Sequence, residues 1–160
     1  MKIIYLISFF VFLANFLLAQ EEMSDVYTLT TNFEKVEIIR LKTGSDMLEG
    51  LKTAVEEKDI SNGVILSGIG SVTDYHYHVV SDKNLPPAEE YPKASVPMDL
   101  TSVQGYVLDG RVHAHITLSD ENSMVGGHLE EGTRALTFII VTIGVLPDEI
   151  EIKNFDNYKY

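Results

Sequence analysis

The 160-residue sequence has no cysteine and no tryptophan, and its 12 Lys and Arg residues are outnumbered by 24 Asp and Glu. Without thiols there is no disulfide framework, no lipidated N-terminal cysteine and no thiolate metal site. A transition-metal site must therefore be built from imidazole and carboxylate, for which five histidines are available. The net charge of −12 disfavours any association that depends on Lys and Arg neutralising phosphates, so nonspecific nucleic-acid binding is not expected. Long apolar runs are scarce as well. The one that stands out, IIYLISFFVFLANFLLA after Lys2, has the charged start and apolar body of a secretory signal, with cleavage expected after Ala19. It is shorter than the roughly 20 apolar residues that a membrane span needs, and Asn15 interrupts it. Residues 1–19 are thus read as a signal peptide and residues 20–160 as a single domain exported to the periplasm or the extracellular space.

The sequence as a whole is 45% hydrophobic and 22% charged, the balance of a globular domain. VYTLT and KVEIIRL, between Val26 and Leu41, are rich in β-branched residues and suit two strands. In SDMLEGLKTAVEEKDI, the residues Met47, Leu51, Ala54 and Val55 recur at helical spacing, with Ser45 as the expected N-cap. VILSGIGSV and VTDYHYHVV read as successive strands. The second places Asp74, His76 and His78 on one face and Tyr75, Tyr77 and Val79 on the other. Residues 81–97 hold four of the five prolines and are expected to form a long loop. LTSVQGYVL and RVHAHITL form a hairpin through Asp109-Gly110, a dipeptide suited to a two-residue turn. SDENSMVGGHLEEG reads as a polar connection, ALTFIIVTIGVL as a central strand and EIEIKNF as a last one. About eight strands against one clear helix give an α+β domain, a predominantly antiparallel sheet with the helix covering it.

On RVHAHITL, alternation puts His113 and His115 on the face shared with Arg111 and Thr117, so two imidazoles point the same way. A third, His128, follows the pair Gly126-Gly127, whose backbone freedom would let a returning loop bring the ring in. Three imidazoles meeting one ion at the roughly 2.0–2.1 Å that zinc requires make a metal site. The bland alternative is a set of solvated or locally hydrogen-bonded histidines, the commoner fate of an isolated HxH pair.

The segment GRVHAHITLSDENSMVGGHLEEG resembles the signature of the plant-and-prokaryote-conserved domain family, also known as the domain of unknown function 296. The likeness extends over the helix, VILSGIGSV and SVQGYVLDG, in the family's order. The resemblance implies an α+β fold with a large antiparallel sheet, a homotrimer, and a Zn2+ or another divalent transition metal held by His113, His115 and His128. The arrangement is also similar to acetolactate decarboxylase and to a zinc-dependent ester hydrolase, in which three imidazoles leave a position for water or substrate. Plant members add basic AT-hook segments for minor-groove binding, and this sequence has none.

Other polar residues admit two readings each. His76 and His78 form a second HxH, either extra ligands or exposed strand histidines, with Asp74 on the same face. Glu130 and Glu131 offer a fourth ligand or a general base, or a solvated turn. Arg111 can hold an anionic substrate or form a surface ion pair. Three functions follow: a zinc-dependent hydrolase or lyase, a noncatalytic trimeric module that binds a ligand, and, last, a DNA-binding protein as among plant members of the family.

Overall fold

The computed structural model describes residues 26–157; the expected signal peptide lies outside them. The elements run β1 (Lys35–Lys42), α1 (Met47–Glu57), β2 (Asn62–Val80), β3 (Glu89–Glu90), β4 (Lys93–Ala94), β5 (Met98–Leu108), β6 (Arg111–Ser119), β7 (Met124–Leu129) and β8 (Arg134–Val145). Every pairing is antiparallel, in the order β1-β8-β2-β5-β6-β7. The expected α+β class with a predominantly antiparallel sheet is therefore present, with α1 the single helix among the described residues. That helix is not long and apolar enough to cross a membrane.

One strand organises the rest. VILSGIGSV and VTDYHYHVV do not break into two strands but run on as β2, 19 residues long. Over its first part β2 carries β8 on one edge, from Gly63↔Val145 to Asp74↔Arg134, and β5 on the other, from Asn62↔Leu108 to Val72↔Met98. Register shifts between Ile65 and Ser67 and on either side of Val72 bend it. Beyond the bend its far end pairs with β7, Tyr77↔Leu129 and His78↔His128. Because β7 also pairs with β6, the strands β2, β5, β6 and β7 close on themselves.

The inward face carries the core: Val103, Val107, Ala114, Ile116, Leu118, Ile139, Val141 and Ile143, joined by Met47, Leu51 and Val55 of α1. Asp109 and Gly110 both adopt positive φ, 53° and 73°, which gives the expected tight turn between β5 and β6. Burying this row of β-branched and aliphatic side chains supplies the main stabilisation, at about 1.5–3 kcal/mol for each large side chain fully removed from water.

Four expectations need correction. VYTLT forms no strand: Val26 and Tyr27 are exposed, and Tyr27 instead packs edge-on against Phe155. EIEIKNF forms turns; its Ile152 joins Leu108 and Leu146 in a small separate cluster, with Ile150 packed against it, so local packing replaces a ladder. The proline-rich segment 81–97 is not wholly loop, since β3 and β4 pair with β2 at Val79↔Glu90 and His76↔Lys93. The N-cap is Asp46, not Ser45. Ser45 is occupied by the backbone, its carbonyl accepting from the Ala135 amide at 2.9 Å.

The Asp46 carboxylate accepts from the Glu49 amide at 3.3 Å through Oδ1 and from the Gly132 amide at 2.7 Å through Oδ2. It therefore caps the helix and also holds the turn between β7 and β8. Asp46→Ala is expected to cost about 1–2 kcal/mol, read as a fall of several degrees in Tm. An unchanged Tm would show that the carboxylate ties nothing together.

Candidate metal centre

Residues directly opposite one another across a ladder project from the same face. The register gives Gln104↔His115, His115↔His128 and His128↔His78, so one row on the outward face crosses β5, β6, β7 and β2 and contains three imidazoles. His113, two residues before His115, is the fourth ring on that face. Its ring centre lies 4.7 Å from that of His128 and 5.5 Å from that of His115, while His115 and His128 are 5.3 Å apart. One ligand nitrogen from each of His113, His115 and His128 falls within 4.8 Å of the others. The three residues expected from the sequence are thus brought together.

His128 is delivered differently from the expectation. It sits on β7, not on a loop, and neither Gly126 nor Gly127 has positive φ. Their value is the missing side chain: a Cβ on Gly126 would lie 2.2 Å from the Ile116 carbonyl oxygen, and one on Gly127 would lie 2.4 Å from that of His78. The pair lets β7 fit between β6 and β2.

Asp156, in the C-terminal turns, completes the surroundings. Its Oδ2 accepts from His113 Nδ1 at 2.7 Å and from Arg111 at 2.7 Å, while Oδ1 accepts a second Arg111 bond at 2.9 Å. The Arg111 fork, then the His113 hydrogen bond, holds this carboxyl down at about 2. An ionised carboxylate only accepts, so His113 donates through Nδ1 and leaves Nε2 as the nitrogen that Asp156 does not engage, the arrangement that outer carboxylates impose on metal-binding histidines. Arg111 is accordingly an ion-pair partner. Asp156 was missed in the sequence because 43 residues separate it from His113 and only the fold joins them.

The second HxH is split. His76 Nδ1 donates to the Glu131 carbonyl at 2.7 Å, and its ring does not join the cluster of His113, His115 and His128. His78 stacks on His128 with centres 4.4 Å apart and has Nδ1 2.7 Å from Glu130 Oε1. Asp74 accepts from Ser95 and Thr73, and Glu131 pairs with Lys52 at 2.8 Å.

Burial, followed by the charges of His113, His78 and His115, lowers His128 from 6.5 to about 4. Burial and the same neighbourhood also lower His115. Both rings are neutral at pH 7, with a lone pair to give, which is the protonation state a metal requires. The donor set therefore fits a divalent transition metal.

A histidine with a depressed folded-state pKa binds fewer protons folded than unfolded between the two values, so its effect on stability is lost from pH 6.5 down towards 4. In chelator-treated protein, Tm should be level above pH 7 and decline through that window. Since His128 is only half-buried, solvent screening limits its share to about 1–2 kcal/mol. His128→Gln should flatten the decline; a profile parallel to wild type would show that the ring does not titrate this way.

Comparison with known proteins places the fold. No curated protein matches the sequence. Among solved structures, a metal-containing protein from Archaeoglobus fulgidus superposes with a TM-score of 0.66 at 23% identity, covering 76% of this chain and 86% of its own. A plant- and prokaryote-conserved protein from Pyrococcus horikoshii gives 0.63 at 24% identity, covering 79% and 89%. A Bacteroides thetaiotaomicron protein named for DNA binding gives 0.62 at 17% identity, covering 77% and 87%. These likenesses establish the shared fold. The model of the Plants and Prokaryotes Conserved domain matches residues 29–147, a span running from before β1 to just past β8 and including all three histidines, and the chain belongs to that family.

Proposed function

We propose that His113, His115 and His128 hold one divalent transition-metal ion, zinc by default, and that the exported domain uses it in a hydrolase or lyase reaction on a small molecule. The observation that carries this reading is the set of three clustered imidazole nitrogens, on an outward sheet face, with His115 exposed. Three protein ligands instead of four is the pattern of zinc sites that act on a substrate. The ion would serve as a Lewis acid that polarises a carbonyl oxygen. The chain's own residues orient and tune: Asp156 fixes the His113 ring, burial keeps His128 neutral, and Gly126-Gly127 set the spacing of β7.

A noncatalytic trimeric module is the second reading, favoured by apolar side chains on the same outward face. Val36, Ile38 and Ile69 are 53%, 71% and 56% exposed, apolar surface that a partner subunit would cover. A homotrimer burying them would set the metal centre beside a subunit boundary. DNA binding is opposed by the net charge of −12.

Elemental analysis of purified wild type beside His128→Ala should give about one ion per chain for the first and near none for the second. Equal metal content would overturn the assignment. Asp156→Asn, which removes the charge and keeps the shape, should weaken zinc affinity about 10- to 100-fold in competition with a chromophoric chelator. Undiminished affinity would make Asp156 a partner of Arg111 alone.

A further inference from the structure

Three groups beside the three-histidine cluster have no part in it. His78 faces His128 directly across the β2–β7 ladder. Glu130 lies two residues beyond His128, just past the end of β7. Glu89, delivered by β3, lies 3.7 Å from His78 Nε2 and accepts from the Tyr91 hydroxyl at 2.5 Å through its other oxygen. The Tyr91 ring in turn lies against His78, 5.3 Å between centres. His78 is thereby held at Nδ1 by Glu130, with the Glu89 carboxylate 3.7 Å from Nε2, and its side chain is only 19% exposed.

This is how a ligand is prepared. An imidazole nitrogen and a carboxylate oxygen hydrogen-bonded at 2.7 Å become neighbouring ligands when a cation takes the place of the hydrogen between them. Glu89 lies 3.7 Å from the outer nitrogen, beyond hydrogen-bond distance, and adds negative charge beside the ring. One donor atom from each of His78, His128 and Glu130 lies within 4.8 Å of the others. Neither His78 nor Glu130 joins His113 and His115 in such a group, so no one position serves all five side chains.

We propose that the centre has a second, alternative seat for a divalent cation, formed by His78, Glu130 and His128, and that this seat takes a harder ion, of the manganese(II) class, than the three-histidine seat. The inference builds on the metal-binding reading above. Two physical points decide its form. A carboxylate in the donor set favours harder cations, whereas three imidazoles favour zinc and its neighbours. A neutral imidazole also has a single lone pair, so His128 serves one seat at a time and the two ions exclude each other.

The test uses the full chain after chelation and dialysis, titrated separately with manganese(II), followed by the loss of its aqueous electron paramagnetic resonance signal, and with zinc. Wild type should bind about one manganese(II) ion, which one equivalent of zinc displaces. Glu130→Gln should weaken manganese(II) at least about 10-fold and leave zinc within about threefold; His113→Ala should do the reverse. His78→Gln is the second variant on the new seat, and circular dichroism checks that each variant is folded. Unchanged manganese(II) affinity in folded Glu130→Gln and His78→Gln, or one ion of each metal bound together, would overturn the proposal. Unchanged zinc affinity in His113→Ala would overturn the three-histidine reading instead, a separate result from the manganese(II) arm.

Discussion

The closeness of β7 to both β6 and β2 is the constraint on which the candidate site depends. Gly126 and Gly127 meet carbonyl oxygens of the flanking strands at distances that exclude any side chain, so two residues without Cβ atoms permit the sheet to close. Once it closes, ladder register alone aligns His115, His128 and His78. The chemistry at this face is thus a by-product of backbone packing, and His128 needs no flexible loop to reach its neighbours. A rigid strand holds ligands in place more tightly than a loop would.

The inner and outer faces of the same strands do different work. Ile116 and Leu129 alternate with His115 and His128 and lie buried in the core. Each imidazole is therefore anchored by neighbours whose burial is worth more than any hydrogen bond the ring makes. Burial of the outward rings is only partial, yet it is enough to hold His128 neutral. Asp156 acts on His113 by orientation, accepting from its Nδ1.

Alternation along RVHAHITL, the helical spacing from Met47 to Val55 and the Asp109-Gly110 turn were all legible in the sequence, because each is a local pattern whose period or φ preference belongs to one element. The partnership of His113, His115 and His128 was legible through the family resemblance. The strand around His128 was not: Gly-Gly ordinarily signals a turn, and only the facing strands reveal that it signals close approach. His78, Glu89 and Asp156 could not be placed for a related reason. Their positions follow from pairings and turns, across 50 residues from His78 to His128, 43 from His113 to Asp156 and 11 from His78 to Glu89, which no local period encodes. The separation of His76 from His78 also depends on tertiary surroundings, since identical residues two apart on one face end with a backbone carbonyl in one case and a carboxylate in the other.

The length of β2 has a further meaning. Its first part is a spine gripped by β5 and β8, and its far end is a wall of the candidate centre. Because one continuous strand serves both purposes, the outward residues beyond the bend can be exchanged for others while Tyr77 and the buried row beneath continue to specify the sheet. The fold thereby keeps a zone where new ligand chemistry is written without rewriting the architecture.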